Sequence, residues 1–129
     1  MGRHEYFVVE FPKGSRHLRK AWEYVEKAQV ALAQWDSKSV YAHCRELGKL
    51  LDKTILEQHA GDASTTEKWG RAYKHFNHMA SLDLHREEIQ GADKFDGQEL
   101  LMRKADSEHV LFTAQALFKY ASSFTTKGG

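Results

Sequence analysis

The chain has 129 residues, of which 41% are hydrophobic and 29% charged; these are ordinary globular proportions that argue against disorder and suffice for one domain around one core. No apolar run approaches the ~20 residues that a membrane-spanning helix needs, and a formal net charge of +1 gives no global field toward nucleic acid or an anionic membrane, so any such binding must be local. The lone Cys44 excludes an internal disulfide, and Tyr6 to Phe11 is too short and, with Glu10, too polar for a secretory segment, which together imply a reducing, cytoplasmic setting.

In chain order, Tyr6-Phe7-Val8-Val9-Glu10-Phe11 is β-branched and aromatic and stops at Pro12-Lys13-Gly14, which predicts one short N-terminal strand at 6–11. Such a strand needs a partner: a twin in a dimer, another sheet, or a larger protein. Ser15 can cap a first helix over 15–35, with Leu18, Trp22, Val25, Ala28, Leu32 and Trp35 on one face. Asp36-Ser37 breaks that pattern and caps a second helix over 38–58, whose stripe is Val40, Cys44, Leu47, Leu51 and Ile55, widened by Tyr41, Leu50 and Leu56. So short a connection folds the pair into an antiparallel hairpin.

Ala60-Gly61-Asp62-Ala63 interrupts the chain, and Ser64-Thr65-Thr66-Glu67 reads as a capping box for a third helix over 65–82, with Trp69, Ala72, Tyr73, Phe76 and Met79 inward. Periodicity then fades through a long 83–105 connection, where Asp96-Gly97-Gln98-Glu99 before Leu100-Leu101-Met102 can open one short extra helix. A connection of that length in a small bundle is more often functional than inert. Asp106 caps a last helix over 106–124 bearing Val110, Ala114, Leu117, Ala121 and Phe124, with Leu111 and Phe118 beside them. The expected fold is thus all-α: one 1–129 domain, an up-down four-helix bundle behind a short strand.

Eight histidines are the one compositional feature that asks for an explanation. His75 and His78 share a face of helix three, and His43 and His109 can approach from other helices. The Glu-x-x-His pairs of di-metal bundles, His-Glu-x-x-His and any cysteine pair are missing, so no metal is expected. Cys44 lies on an apolar stripe, where a thiol is an inert hydrophobe, and His43 beside it points about 100° away around the helix. With no Gly-rich phosphate loop or Gly-x-Ser-x-Gly, no cofactor is expected. Lys13, Arg16, His17, Arg19 and Lys20 cluster at the start of helix one, where positive charge opposes the helix dipole; they read either as a phosphate-contacting patch or as a solvated face balanced by Glu23 and Glu26.

The stretch Ala21-Trp22-Glu23-Tyr24-Val25-Glu26-Lys27-Ala28, then Trp35-Asp36-Ser37-Lys38, then Tyr41-Ala42-His43-Cys44-Arg45-Glu46-Leu47-Gly48-Lys49-Leu50-Leu51 resembles the front half of HEPN domains. Those are small prokaryotic bundles of four to five helices. The resemblance implies a homodimer with its site at the dimer cleft and, in many members, a metal-independent ribonuclease serving as a toxin or antiviral effector. The family's signature is an arginine followed, after four to six residues, by a histidine near the last helix: histidine moves protons at the 2′-hydroxyl and leaving oxygen, and arginine stabilises charge on the scissile phosphate. Arg103 with His109 fits that spacing, although Lys104 stands where the family has Asn, Asp or His, and Arg71 with His78 on helix three is the second choice. Two functions follow as expectations. One is a dimeric HEPN-like domain working on RNA in a defence or toxin–antitoxin system; the other is a non-enzymatic module that docks on a larger protein through the strand, the 83–105 connection and any outward-facing member of Trp22, Trp35 and Trp69.

Overall fold

A computed structural model describes residues 16–81 and 104–125, which form four helices: α1 Arg16–Ala33, α2 Ser37–Gln58, α3 Ala63–Ala80 and α4 Lys104–Thr125. The strand expected at 6–11 and the short helix expected after Asp96 lie outside the described residues. Among the described residues there is no strand, and no helix is long and apolar enough to cross a membrane.

Each helix forms where apolar side chains recur every three or four residues, and the ends of α1, α2 and α3 that meet described residues close on identifiable hydrogen bonds. α1 stops at Ala33 rather than Trp35 because Trp35 adopts φ +60°. The Asp36 amide then donates to the Ala31 carbonyl at 2.9 Å, and the Trp35 amide to Leu32 at 3.0 Å. That pair of bonds is a Schellman closure, with tryptophan in the left-handed position that glycine usually fills. The turn delivers Asp36 directly to α2 as its N-cap, the carboxylate accepting from the Ser39 amide at 3.2 Å.

Two expected helix starts are corrected. α3 is capped by Asp62, whose carboxylate accepts the Thr65 amide at 3.1 Å and the Thr65 hydroxyl at 2.6 Å. An ionised acceptor that takes two donors outcompetes the Ser64 hydroxyl, so the helix begins at Ala63. α4 begins at Lys104, which places Asp106 in its first turn instead of at its cap; a carboxylate there still favours the positive end of the helix.

Side-chain pairs fix the topology. Trp35 at the end of α1 lies under the Lys104 ammonium, 4.5 Å from the ring centroid, while Trp22 near its start meets the Phe118 ring at 5.1 Å, so α4 runs antiparallel to α1. At the far end the His59 ring donates from Nε2 to the Phe124 carbonyl at 3.0 Å, so α2 and α4 run parallel. Trp69 near the start of α3 donates to Asp52 late in α2 at 2.8 Å and stacks on Tyr120 late in α4. The helices therefore run up, down, up, down, with α2 and α4 at the centre and α1 and α3 flanking them.

The core joins all four helices, from Leu18, Val25 and Leu32 of α1 through Val40, Leu47, Leu51 and Ile55 of α2 to Trp69 and Phe76 of α3 and Leu111 and Phe118 of α4. Gly48 sets how closely α2 and α3 approach: a Cβ there would lie 2.9 Å from Phe76 Cε2 and 3.2 Å from Tyr73 Cε1. Gly48→Ala gains about 1 kcal/mol of helix propensity but forces apart a buried ring that has nowhere to go. We expect a net loss of roughly 1–2 kcal/mol, read by urea unfolding. A gain would mean that the helices separate without cost.

Candidate functional site

The predicted site residues fall into separate groups. Lys13 and Arg103 lie outside the described residues. Arg16 opens α1, and Arg19 and Lys20 are exposed on its first turns. Arg71 and His78 are both exposed on α3, with Arg71 donating to Glu67 at 2.8 Å, one turn toward the helix start. His109 is exposed early in α4.

A groove of about 560 Å³ between α3 and α4 joins residues from both predicted pairs: His78 and His75 enter from α3 and His109 from α4. Antiparallel packing causes this, because it sets the last turns of α3 against the first turns of α4. The Arg45 guanidinium fixes that end of α3 by donating to the Ala80 carbonyl at 3.0 Å. Phe76, Met79, Leu117 and Tyr120 floor the groove, and among the described residues no carboxylate lines it. The Thr113 hydroxyl is turned back to the His109 carbonyl at 2.8 Å, which leaves the imidazoles as its main polar groups. Arg71 does not line the groove, although it shares α3 with the exposed Lys68 and Lys74. Among the described residues, no three His, Cys, Asp or Glu side chains cluster in a way that could hold a metal ion.

His43 does not join these histidines. It lies in a second groove of about 500 Å³ between α1 and α2, with Glu23, Glu26, Lys27, Val30 and Asp36. Its ring is 6.1 Å from that of Tyr24. Burial first, then the neighbouring Lys27 ammonium, pushes its pKa below the ordinary 6.5. Cys44 on the next position is buried, and desolvation pushes its thiol up to about 12, far from the range of a working nucleophile.

The two cap carboxylates shift downward as well. Side-chain and backbone hydrogen bonds from Ser39 hold Asp36 below 3.8, and those from Thr65 do the same for Asp62. Where a folded-state pKa is depressed, the unfolded chain binds protons more readily and stability rises with pH. Stability should therefore fall on acidification in two windows, as pH drops below 6.5 through the folded value of His43 and again below 3.8 through those of the caps. In melting curves against pH, His43→Gln should flatten the first window alone; an unchanged slope would acquit the imidazole.

Compared with known proteins, the chain matches no family model, no curated protein and no solved structure.

Proposed function

We propose that this chain is a HEPN-like helical module with an RNA-related role, working as a homodimer in a defence or toxin–antitoxin setting, and that the α3/α4 groove is where RNA meets it. The observation that carries this reading is that His75, His78 and His109 line one apolar-floored groove with no carboxylate among its described residues, on a helix, α3, that also exposes Lys68, Arg71 and Lys74. Imidazoles there can exchange protons with a 2′-hydroxyl and a leaving oxygen, the cations of α3 can hold the phosphate backbone, and the Tyr120 ring offers a surface to a base. Phosphate stabilisation is assigned to Arg103, with Arg71 the second choice, and proton transfer to His109, with His78 second.

The test joins binding and cleavage on one single-stranded RNA. Affinity should fall with salt, with a log–log slope of about −2 for three phosphate contacts, and Lys68→Glu with Lys74→Glu should make that slope shallower. If the protein cuts RNA, cleavage should persist in EDTA and drop by roughly 100-fold or more in His109→Ala. Affinity indifferent to salt would remove the RNA reading, and cleavage unchanged in both His109→Ala and His78→Ala would remove the catalytic assignment. Sedimentation gives the oligomeric state.

A further inference from the structure

Charge in this bundle is sorted by face, which the net value of +1 conceals. Opposite the histidine groove, the α1/α2 groove sets three carboxylates, Glu23, Glu26 and Asp36, against the single ammonium of Lys27. That ammonium sits over the Tyr24 ring at 4.7 Å, and burial disfavours the charged form of His43. The groove is therefore negative. Val30 lines it at 57% exposure, and Trp35, between the lining residues Gln34 and Asp36, is 68% exposed. These are the two most exposed large apolar side chains among the described residues.

Trp35 makes the face more than a solvated surface. The bundle needs only a left-handed residue there, which glycine supplies without the Cβ–carbonyl crowding that costs an L-residue about 1–2 kcal/mol. Trp22 packs on Phe118 and Trp69 is fully buried, but Trp35 adds nothing to the core. Its ring lies under the Lys104 ammonium at 4.5 Å. A large aromatic held at a strained, solvent-facing position beside a groove has the character of a binding anchor.

We propose that the α1/α2 groove, with Trp35 and Val30 as anchors, docks a basic amphipathic segment of another protein. The segment's aliphatic side chains would cover the anchors and its lysines or arginines would face Glu23, Glu26 and Asp36. The sign of the groove repels RNA. A second copy is disfavoured because two-fold pairing would oppose the same carboxylates, and because the cationic face of α3 presents no exposed large apolar residue to reach the anchors.

The probe is a labelled 14-residue lysine/leucine peptide patterned as an amphipathic helix, compared by anisotropy and tryptophan emission with its glutamate/leucine twin. The lysine peptide should bind and the glutamate twin should not. Affinity should fall at least tenfold in Trp35→Gly, which suits the turn, and at least tenfold in Glu23→Gln with Glu26→Gln, while Lys68→Glu on the far face leaves it unchanged. Equal binding of both peptides, or of the lysine peptide to wild type and these variants, overturns the proposal. So does a homodimer that Trp35→Gly dissociates. Because Trp35, Glu23 and Glu26 lie away from the α3/α4 groove, the RNA affinity of their variants reports separately on the proposed function.

Discussion

Trp69→Ala is expected to lower the unfolding free energy by roughly 3–5 kcal/mol, which for a chain of this length lowers Tm by roughly 10–20 °C. Trp69 has no exposed surface, stacks on Tyr73 at 6.1 Å and on Tyr120 at 6.3 Å, and donates its indole N–H to Asp52 at 2.8 Å. One side chain thus ties α3 to both central helices. Alanine removes the ring and the bond together, and the rings around it cannot close the hole without moving the backbone. Trp69→Phe separates the two contributions. It keeps most of the apolar contact and loses the bond to a charged acceptor, worth about 1.5–3 kcal/mol; half-buried Asp52 recovers part of that from water, which favours the lower figure. Thermal and urea melts of both variants measure the split, and a cost below about 1 kcal/mol for alanine would show that the α2–α3–α4 junction collapses freely. The junction also concerns the groove, since Tyr120 both stacks on Trp69 and floors the histidine site. On the proposed RNA reading, affinity should therefore weaken in Trp69→Phe, although Trp69 does not line the groove.

What could be read in advance follows what the chain encodes locally. The stripe Val40, Cys44, Leu47, Leu51 and Ile55 is buried throughout, with Tyr41 beside it, because regular spacing on one continuous helix leaves a single way to hide it, whereas Leu56, at the edge of the widened stripe, is 46% exposed. Asp36 was legible as a cap, being a carboxylate three residues before an amide it can reach. Asp62 was harder to see, since Ser64 with Glu67 offers a competing box and only geometry decides between two overlapping caps. Trp35 had the right spacing for α1 and still points outward, because a spacing rule assumes helical backbone and the Schellman turn ends it first. The face shared by His75 and His78 follows from one helix. Which of His43 and His109 would join them depends on helix order and direction, and those are set by long-range contacts such as Trp22 with Phe118 and His59 with Phe124.

Gln115→Met is expected to raise stability by about 1–3 kcal/mol, and Tm by roughly 3–10 °C. Gln115 is fully buried, and among the described residues neither its carboxamide nitrogen nor its oxygen has a hydrogen-bond partner; the Ser107 hydroxyl, two turns earlier, is in the same condition. With Leu111 between them and Phe118 beyond, these residues form a second buried stripe beside Val110, Ala114, Leu117 and Ala121. Two stripes are buried because α4 shares the centre of the bundle with α2 and has neighbours on both sides. Leu111 and Phe118 are legible from apolar spacing, and polarity hides Ser107 and Gln115 between and before them. Methionine has nearly the length of glutamine and no polar atoms, so the exchange removes the desolvation cost of the carboxamide while keeping the packing. Gln115→Glu tests the same environment with the opposite sign, since a buried carboxyl must either carry an uncompensated charge or hold its proton, so its destabilisation should deepen as pH rises. Urea unfolding of both variants decides: a loss of stability in Gln115→Met would mean that the carboxamide is satisfied, with an ordered water the natural partner at such a site. A gain in Gln115→Met with RNA affinity unchanged would show that the polar stripe of α4 can be replaced without touching the histidine groove on its other face.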